Sequence, residues 1–265
     1  MPTITRDGLN LSYLDSEGTG AAVVLLHAFP LRCAMWGPQI AELGEDFRVL
    51  APDLMGFGSS DAPDDPSAYS MDRYADDVAL VLDHAGVQSA VACGLSMGGY
   101  VSLAFLRRHP ERLAGLVLAD TKAEADDEET RARRTAQQDK IRSAGARAVT
   151  DPMTTSLLGR TTLETNPGIV QRVRHLMDNP GPGLIGALEA MKNRSDSTPD
   201  LGAVRVPSLV IVGEEDEIAP PDAARRLHEH IRGSRLDILP EAGHLSNLET
   251  AADFNQALGS FLKEL

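Results

Sequence analysis

A hydroxyl, a carboxylate and an imidazole can together turn an alcohol into a nucleophile, and this chain carries all three where a fold could join them. Ser96 sits at the centre of Cys93-Gly94-Leu95-Ser96-Met97-Gly98-Gly99. The apolar segment Ala90-Val91-Ala92 precedes this run, and a helix-like apolar stretch beginning at Val101 follows it. The order reads strand, sharp turn, helix, with the serine at the apex. That is the setting of a nucleophile elbow. The flanking glycines have a steric reason: a serine held in a strained backbone needs neighbours without a Cβ, so that strand and helix can approach. The amide of Met97 then opens a helix that can receive negative charge. A G-x-S-x-G pentad arises by accident in about one chain in ten of this length, so its weight comes from its setting and its partners.

A serine hydroxyl needs a base to take its proton and a third group to hold that base. Two later apolar segments end in candidates. Residues 208–212 run into Gly213-Glu214-Glu215-Asp216-Glu217, and residues 235–239 run into Pro240-Glu241-Ala242-Gly243-His244. Both candidates lie just past the carboxyl end of a strand, on the sheet edge that also carries Ser96. His244 is the base this order selects. His84 and His109 fall near helix ends, His228 and His230 on a charged helix, His175 in the middle of the chain, and His27 in a loop it would brace by hydrogen bonds. Asp216, three residues beyond Gly213, fits best as the acid. Asp120, immediately after residues 113–119, is a rival on the same edge. Charge developing on a carbonyl oxygen also needs fixed N–H donors. Met97 supplies one. The loop His27-Ala28-Phe29-Pro30 supplies the second, and because Pro30 has no N–H the donor is Phe29.

The elements that must position these groups are visible as periodicity. Residues 3–5 and 9–13 suit a hairpin turning at Asp7-Gly8. Residues 22–27, 47–51, 90–93 and 113–119 are short apolar runs of the kind buried on both faces of a parallel sheet. Helical patterns lie between them at 36–43, 71–84 and 97–108. The alternation breaks over residues 121–197, which hold no strand-like run. Helices are expected there near 128–144, 169–177 and 184–193, with interruptions at Asp151-Pro152, Asn166-Pro167-Gly168 and Asn179-Pro180-Gly181-Pro182-Gly183. Strand and helix patterns resume at 208–212, 222–231, 235–239 and 248–262. The expected fold is α/β, a mostly parallel central sheet flanked by helices. Residues 1–120 and 198–265 form its core, and 121–197 form a helical cap inserted after the sixth strand, over the carboxyl ends where ligands bind.

Composition narrows the function classes. The 265 residues carry a formal charge of −14, which argues against nucleic-acid binding, since that requires a basic footprint. The apolar runs are too short to span a bilayer, and the first residues lack the pattern of a secretion signal. A cytoplasmic protein is expected, with no membrane partner. Cys33 and Cys93 are too few for a disulfide framework, no Cys/His cluster has metal-ligand spacing, and no cofactor is implied. Association into homo-oligomers is left open.

These pieces resemble the α/β-hydrolase superfamily, and within it the branch of 3-oxoadipate enol-lactonases, small esterases and cofactor-free haloperoxidase or perhydrolase-type enzymes. The resemblance rests on His27-Ala28-Phe29-Pro30, Trp36, the stretch Ala51-Pro52-Asp53-Leu54-Met55-Gly56-Phe57-Gly58-Ser59-Ser60, the Ser96 elbow, the loop through Asp216, and Gly243-His244. Ala28 stands where this family often has Gly, and Met55 where it often has Arg. Dehalogenases and epoxide hydrolases of similar architecture use a carboxylate at the apex, so Ser96 implies acyl transfer.

The expected function is therefore hydrolysis of carboxylic esters or lactones of small to medium acyl size. Ser96 is the nucleophile, His244 the general acid and base, Asp216 the orienting acid, and Phe29 and Met97 the oxyanion donors. Trp36, Leu157, Leu158, Met177 and Leu188 are expected to line an apolar pocket for a small-molecule substrate. The alternatives are perhydrolase or haloperoxidase-type activity on the same triad, and a silent ligand-binding homologue.

Overall fold

The structure, a computed structural model, describes residues 1–265. The chain begins with the hairpin β1 (Thr3–Arg6) and β2 (Leu9–Asp15). There follow β3 (Ala22–Leu26), α1 (Gly37–Leu43), β4 (Arg48–Pro52), α2 (Met71–His84), β5 (Ala90–Leu95), α3 (Met97–Arg108) and β6 (Leu113–Ala119). Five helices come next: α4 (Glu128–Ala144), α5 (Arg147–Ser156), α6 (Arg160–Thr165), α7 (Pro167–Leu176) and α8 (Gly181–Lys192). The chain closes with β7 (Ser208–Gly213), α9 (Pro221–His230), β8 (Arg235–Leu239), α10 (Ser246–Glu249) and α11 (Ala251–Lys263). The strands form one eight-stranded sheet in the order β1-β2-β4-β3-β5-β6-β7-β8. Pairing is antiparallel through β1, β2 and β4 and parallel from β4 onward.

Strand composition follows from burial on both faces. Every residue of β5 and β7 is buried. Side chains alternate between two apolar cores: Val24, Ala92, Leu118 and Val210 face one, and Val23, Val91, Val117 and Leu209 face the other. Helices cover both cores, α2 and α3 on the first face, α1 and α11 on the second. The parallel register brings the ends of β3, β5, β6, β7 and β8 to one edge, and the loops leaving that edge carry Phe29, Ser96, Asp120, Asp216 and His244.

Several elements differ from the sequence-based expectation. The segment expected as one helix over 36–43 opens with a 3-10 turn, Cys33–Trp36, before α1. The closing helix is broken at Thr250, whose backbone leaves helical values (φ −125°, ψ 59°). Two further helices, α5 and α6, lie in the helical insert, and Pro152 sits inside α5 rather than ending it. A proline removes one donor from the helix ladder and crowds the preceding turn. The buried residues Val149, Thr150 and Thr154 fasten that turn to its neighbours, so tertiary packing outweighs the local cost. No helix is long and apolar enough to cross a membrane.

Strand β3 and helix α3 meet at backbone distance. A Cβ added to Gly98 would lie 2.0 Å from the Leu26 carbonyl oxygen, with no flexible side chain to yield. Replacing Gly98 by alanine should therefore destabilise the fold by about 2–3 kcal/mol, read as a lower urea midpoint at unchanged slope. Gly202→Ala, which meets nothing within 4 Å, should stay within about 0.5 kcal/mol of the parent.

Candidate active site

Ser96 lies between β5 and α3 with φ +56° and ψ −111°, a left-handed conformation that a residue with a side chain seldom adopts. Hydrogen bonds from the end of β6 and the residues just after it hold it there. The Ser96 N–H donates to the Ala119 carbonyl at 2.9 Å, and the Thr121 hydroxyl donates to the Ser96 carbonyl at 2.8 Å. The turn closes only because Gly94 lacks a side chain: a Cβ there would lie 2.1 Å from the Gly98 carbonyl oxygen. The strain lifts the Ser96 hydroxyl out of the sheet.

His244 follows β8 and Asp216 follows β7. The two loops are stitched together by the Glu214 N–H on the Leu239 carbonyl (2.8 Å) and the Glu215 N–H on the Ala242 carbonyl (2.7 Å). His244 Nδ1 donates to Asp216 Oδ2 at 2.8 Å, and the Ser96 hydroxyl donates to His244 Nε2 at 2.8 Å. A carboxylate can only accept, so the proton on the ring belongs on Nδ1 and the lone pair on Nε2 faces Ser96. The other Asp216 oxygen accepts from the Ile218 and Ala219 amides at 2.8 and 3.0 Å. Burial pushes the Asp216 carboxyl upward, but the facing imidazole and these donors outweigh it and leave it below its ordinary value. Burial pulls His244 down, and the charge and hydrogen bond of Asp216 outweigh that, aided by Asp120 and Glu249, so the imidazole sits above its usual 6.5.

Asp120, the rival acid, makes no hydrogen bond to His244. Its carboxylate accepts from the Gly213 N–H at 2.9 Å and from the Ser246 hydroxyl. It thereby ties the start of the acid loop to the far side of the histidine loop. Burial, with Asp216 nearby, drives its carboxyl well above the ordinary range. His27 is wholly buried and braces the loop after β3, its Nδ1 donating to the Ala28 carbonyl while Nε2 accepts from the Leu54 N–H, both at 3.1 Å. Burial lowers its pKa and keeps it neutral. Burial likewise pushes the Cys93 thiol far up, leaving it inert beneath the elbow.

Phe29 lies in the loop beyond β3, and its amide makes no hydrogen bond within the protein. Met97 is the first residue of α3, so its N–H stands outside the helix ladder. Trp36 requires a correction as a pocket residue. It is fully buried, with its ring 5.9 Å from that of Phe254 on α11, so it belongs to the packing beneath the site. Leu188 shares an apolar cluster with Phe29, whereas Leu157, Leu158 and Met177 share the other cluster with Ala28.

Three polar residues near the site carried no signal in the sequence. Glu215 accepts from the Thr161 N–H and hydroxyl at 2.8 and 2.7 Å. Glu249 accepts from the Gly159 N–H at 2.7 Å and the Leu245 N–H at 3.0 Å. Both join the helical insert to the loops of Asp216 and His244. Asn179 does the same for the loop of Phe29. In the sequence Glu215 fell within the acidic run after Gly213 and Asn179 at the head of a Pro/Gly run, and neither setting indicated these bonds.

Fold and site together define an α/β protein of hydrolase architecture with a serine at its elbow. The family model described as alpha/beta hydrolase fold matches residues 21–251, and the chain belongs to that family. A thermophilic esterase from Thermogutta terrifontis, solved with malate bound, is 37% identical with a TM-score of 0.93, covering 99% of this chain and 96% of that one. The enol-lactonase from Burkholderia xenovorans LB400 is 31% identical with a TM-score of 0.90, covering 99% of this chain and 100% of that one. 3-Oxoadipate enol-lactonase 2 from Acinetobacter baylyi is 29% identical over 98% of this chain and 96% of its own length. The protein is an enzyme of a hydrolase family.

The raised His244 pKa has a measurable consequence. An imidazole must be neutral to accept a proton, so with His244 as the base of Ser96 activity should fall as pH falls through that pKa. The acid limb of kcat/KM for a p-nitrophenyl ester should have its midpoint above about 6.5. Asp216→Asn removes the principal group raising it. That variant should move the midpoint down and cost about 10³- to 10⁴-fold in kcat, whereas Asp120→Asn should cost far less. Equal losses would make Asp120 a partner of His244.

Proposed function

We propose that this protein hydrolyses carboxylic esters or lactones of small to medium, uncharged acids through an acyl-enzyme on Ser96. The observation that carries the reading is the unbroken chain of two 2.8 Å hydrogen bonds from Asp216 through His244 to the strained Ser96. His244 Nε2 takes the hydroxyl proton as Ser96 Oγ adds to the substrate carbonyl carbon. Asp216 stabilises the imidazolium that forms and holds the ring in the productive tautomer. The carbonyl oxygen becomes an oxyanion facing the Phe29 and Met97 amides, donors already in place when charge appears. His244 then returns the proton to the leaving alcohol, the C–O bond breaks, and an ester to Ser96 remains. Water adds to the acyl carbon as it gives a proton to the same imidazole, which then returns that proton to Ser96 Oγ as the ester bond breaks, releasing the acid and free Ser96. In a lactone the leaving alcohol stays tethered to the acyl group, and the steps are otherwise unchanged.

The helical insert supports an apolar acyl site. Leu157, Leu158, Met177 and Leu188 are buried where it packs on the core, and Phe29 joins the cluster of Leu188. Apolar side chains of the insert beside the reacting groups would favour uncharged acyl chains. The esterase and enol-lactonase relatives support ester and lactone hydrolysis as the reaction class.

A panel of p-nitrophenyl esters of increasing acyl length, aliphatic lactones and an enol-lactone tests the reading. Turnover should fall as the acyl chain outgrows the pocket. Ser96→Ala should lose about 10³-fold or more on every member hydrolysed. Activity near that of the parent in Ser96→Ala would remove this serine from the mechanism.

A further inference from the structure

The oxyanion site needs two amides fixed in space, and only one stands on a rigid element. Met97 begins α3, whereas Phe29 lies in an irregular loop between β3 and the 3-10 turn at Cys33. What fixes that loop can be followed bond by bond. The Ala28 carbonyl accepts from the Leu31 N–H at 2.8 Å and from His27 Nδ1 at 3.1 Å, and the Ala28 N–H rests on the Met35 sulfur at 3.3 Å. These bonds hold the residue before Phe29. The residue after it, Pro30, offers only a carbonyl, and that carbonyl is held by Asn179 of the helical insert: Asn179 Nδ2 donates to the Pro30 oxygen at 2.8 Å.

Asn179 uses its whole side chain. Nδ2 also donates to the Leu176 carbonyl at 3.2 Å, and Oδ1 accepts from the Gly58 N–H at 2.9 Å. Because carbonyls only accept and an N–H only donates, the amide has a single satisfying orientation. The residue is 7% exposed, so these bonds are shielded from water. The insert is seated here at backbone contact: a Cβ on Gly183 would lie 1.8 Å from the Gly56 carbonyl oxygen. Asn179 therefore reaches Pro30 from a segment that itself cannot shift without parting from the loop after β4. The Pro/Gly run that looked like a mere interruption of the insert is a docking point.

We infer that Asn179 is a positioning residue of the oxyanion site, a side chain of the helical insert that fixes the Phe29 amide by clamping the Pro30 carbonyl to the Gly58 loop. The inference rests on the ester-hydrolase reading above and adds to it a task for the insert beyond shaping a pocket. Loss of the clamp leaves the Pro30 carbonyl buried without its donor and lets the Phe29 amide drift from the position the oxyanion will occupy. An error of a fraction of an ångström there acts on the transition state more than on bound substrate.

Asn179→Ala and the near-isosteric Asn179→Asp test this, with Asn179→Ser in place of either that fails to fold. On p-nitrophenyl acetate the folded variants should lose about ten- to a hundredfold in kcat with KM within about twofold. Affinity for a boronic acid that forms a tetrahedral adduct on Ser96 should fall in parallel, and the His244 limb of the pH profile should stay in place. Hydrogen exchange in a peptide spanning residues 27–31 should quicken. Unchanged kcat in a folded variant, a loss confined to KM, or a kcat loss accompanied by a displaced pH limb would each overturn the assignment. Absence of ester turnover in the unaltered protein would count against the ester-hydrolase reading instead. The exchange measurement then decides alone, with faster exchange supporting the clamp and unchanged exchange refuting it.

Discussion

The hydrogen bond between Asp216 and His244 is the constraint on which the site turns. Both side chains are almost wholly removed from water, where an unpaired charge would be prohibitively costly. Asp216 remains ionised because the imidazole and two loop amides face it. In return its oxygen dictates which ring nitrogen keeps the proton. Everything downstream follows from that choice. The lone pair at Nε2 faces a hydroxyl that the backbone strain at Ser96 has already raised to meet it.

The surrounding structure protects this alignment by tying loops to one another rather than by burying each alone. The carboxyl ends of β7 and β8 are joined by backbone bonds, and Gly213 approaches Gly243 so closely that a Cβ would lie 2.1 Å from its carbonyl oxygen. Asp120 spans from Gly213 to Ser246. Glu215 and Glu249 carry the same network into the helical insert at Thr161 and Gly159, and Asn179 carries it to the loop of Phe29. The insert is thus fastened to three of the loops that bear site residues. A substitution far out in the insert can reach the reacting groups along these ties.

Much of this was legible because it is periodic. The segments 71–84, 97–108, 113–119, 128–144 and 235–239 have the bounds their patterns indicate, with Ser70 and Asp127 capping the first and fourth of them through side-chain hydrogen bonds. The order of serine, acid and histidine was legible for the same reason, each lying one step past an apolar strand. The sequence favoured Asp216 over Asp120 by its place three residues beyond Gly213, and side-chain direction, which no periodicity reports, agrees with that choice. Helices α5 and α6 escaped notice because each is short and leans on neighbours. Trp36 looked like a pocket residue because an aromatic near the oxyanion loop is compatible with either face, and contact with Phe254, distant in the chain, decides the matter. Asn179 had no local signature, since its partner Pro30 lies 149 positions away.

The claim that these groups convert an alcohol into an acyl acceptor is tested most directly by trapping the covalent intermediate. A rapid acid quench of p-nitrophenyl acetate turnover, followed by peptide mass spectrometry, should find one acetyl group, carried on the Ser96 hydroxyl and appearing with the burst of p-nitrophenol. Steady hydrolysis with no adduct at Ser96, or with the acetyl group on another residue, would contradict the account.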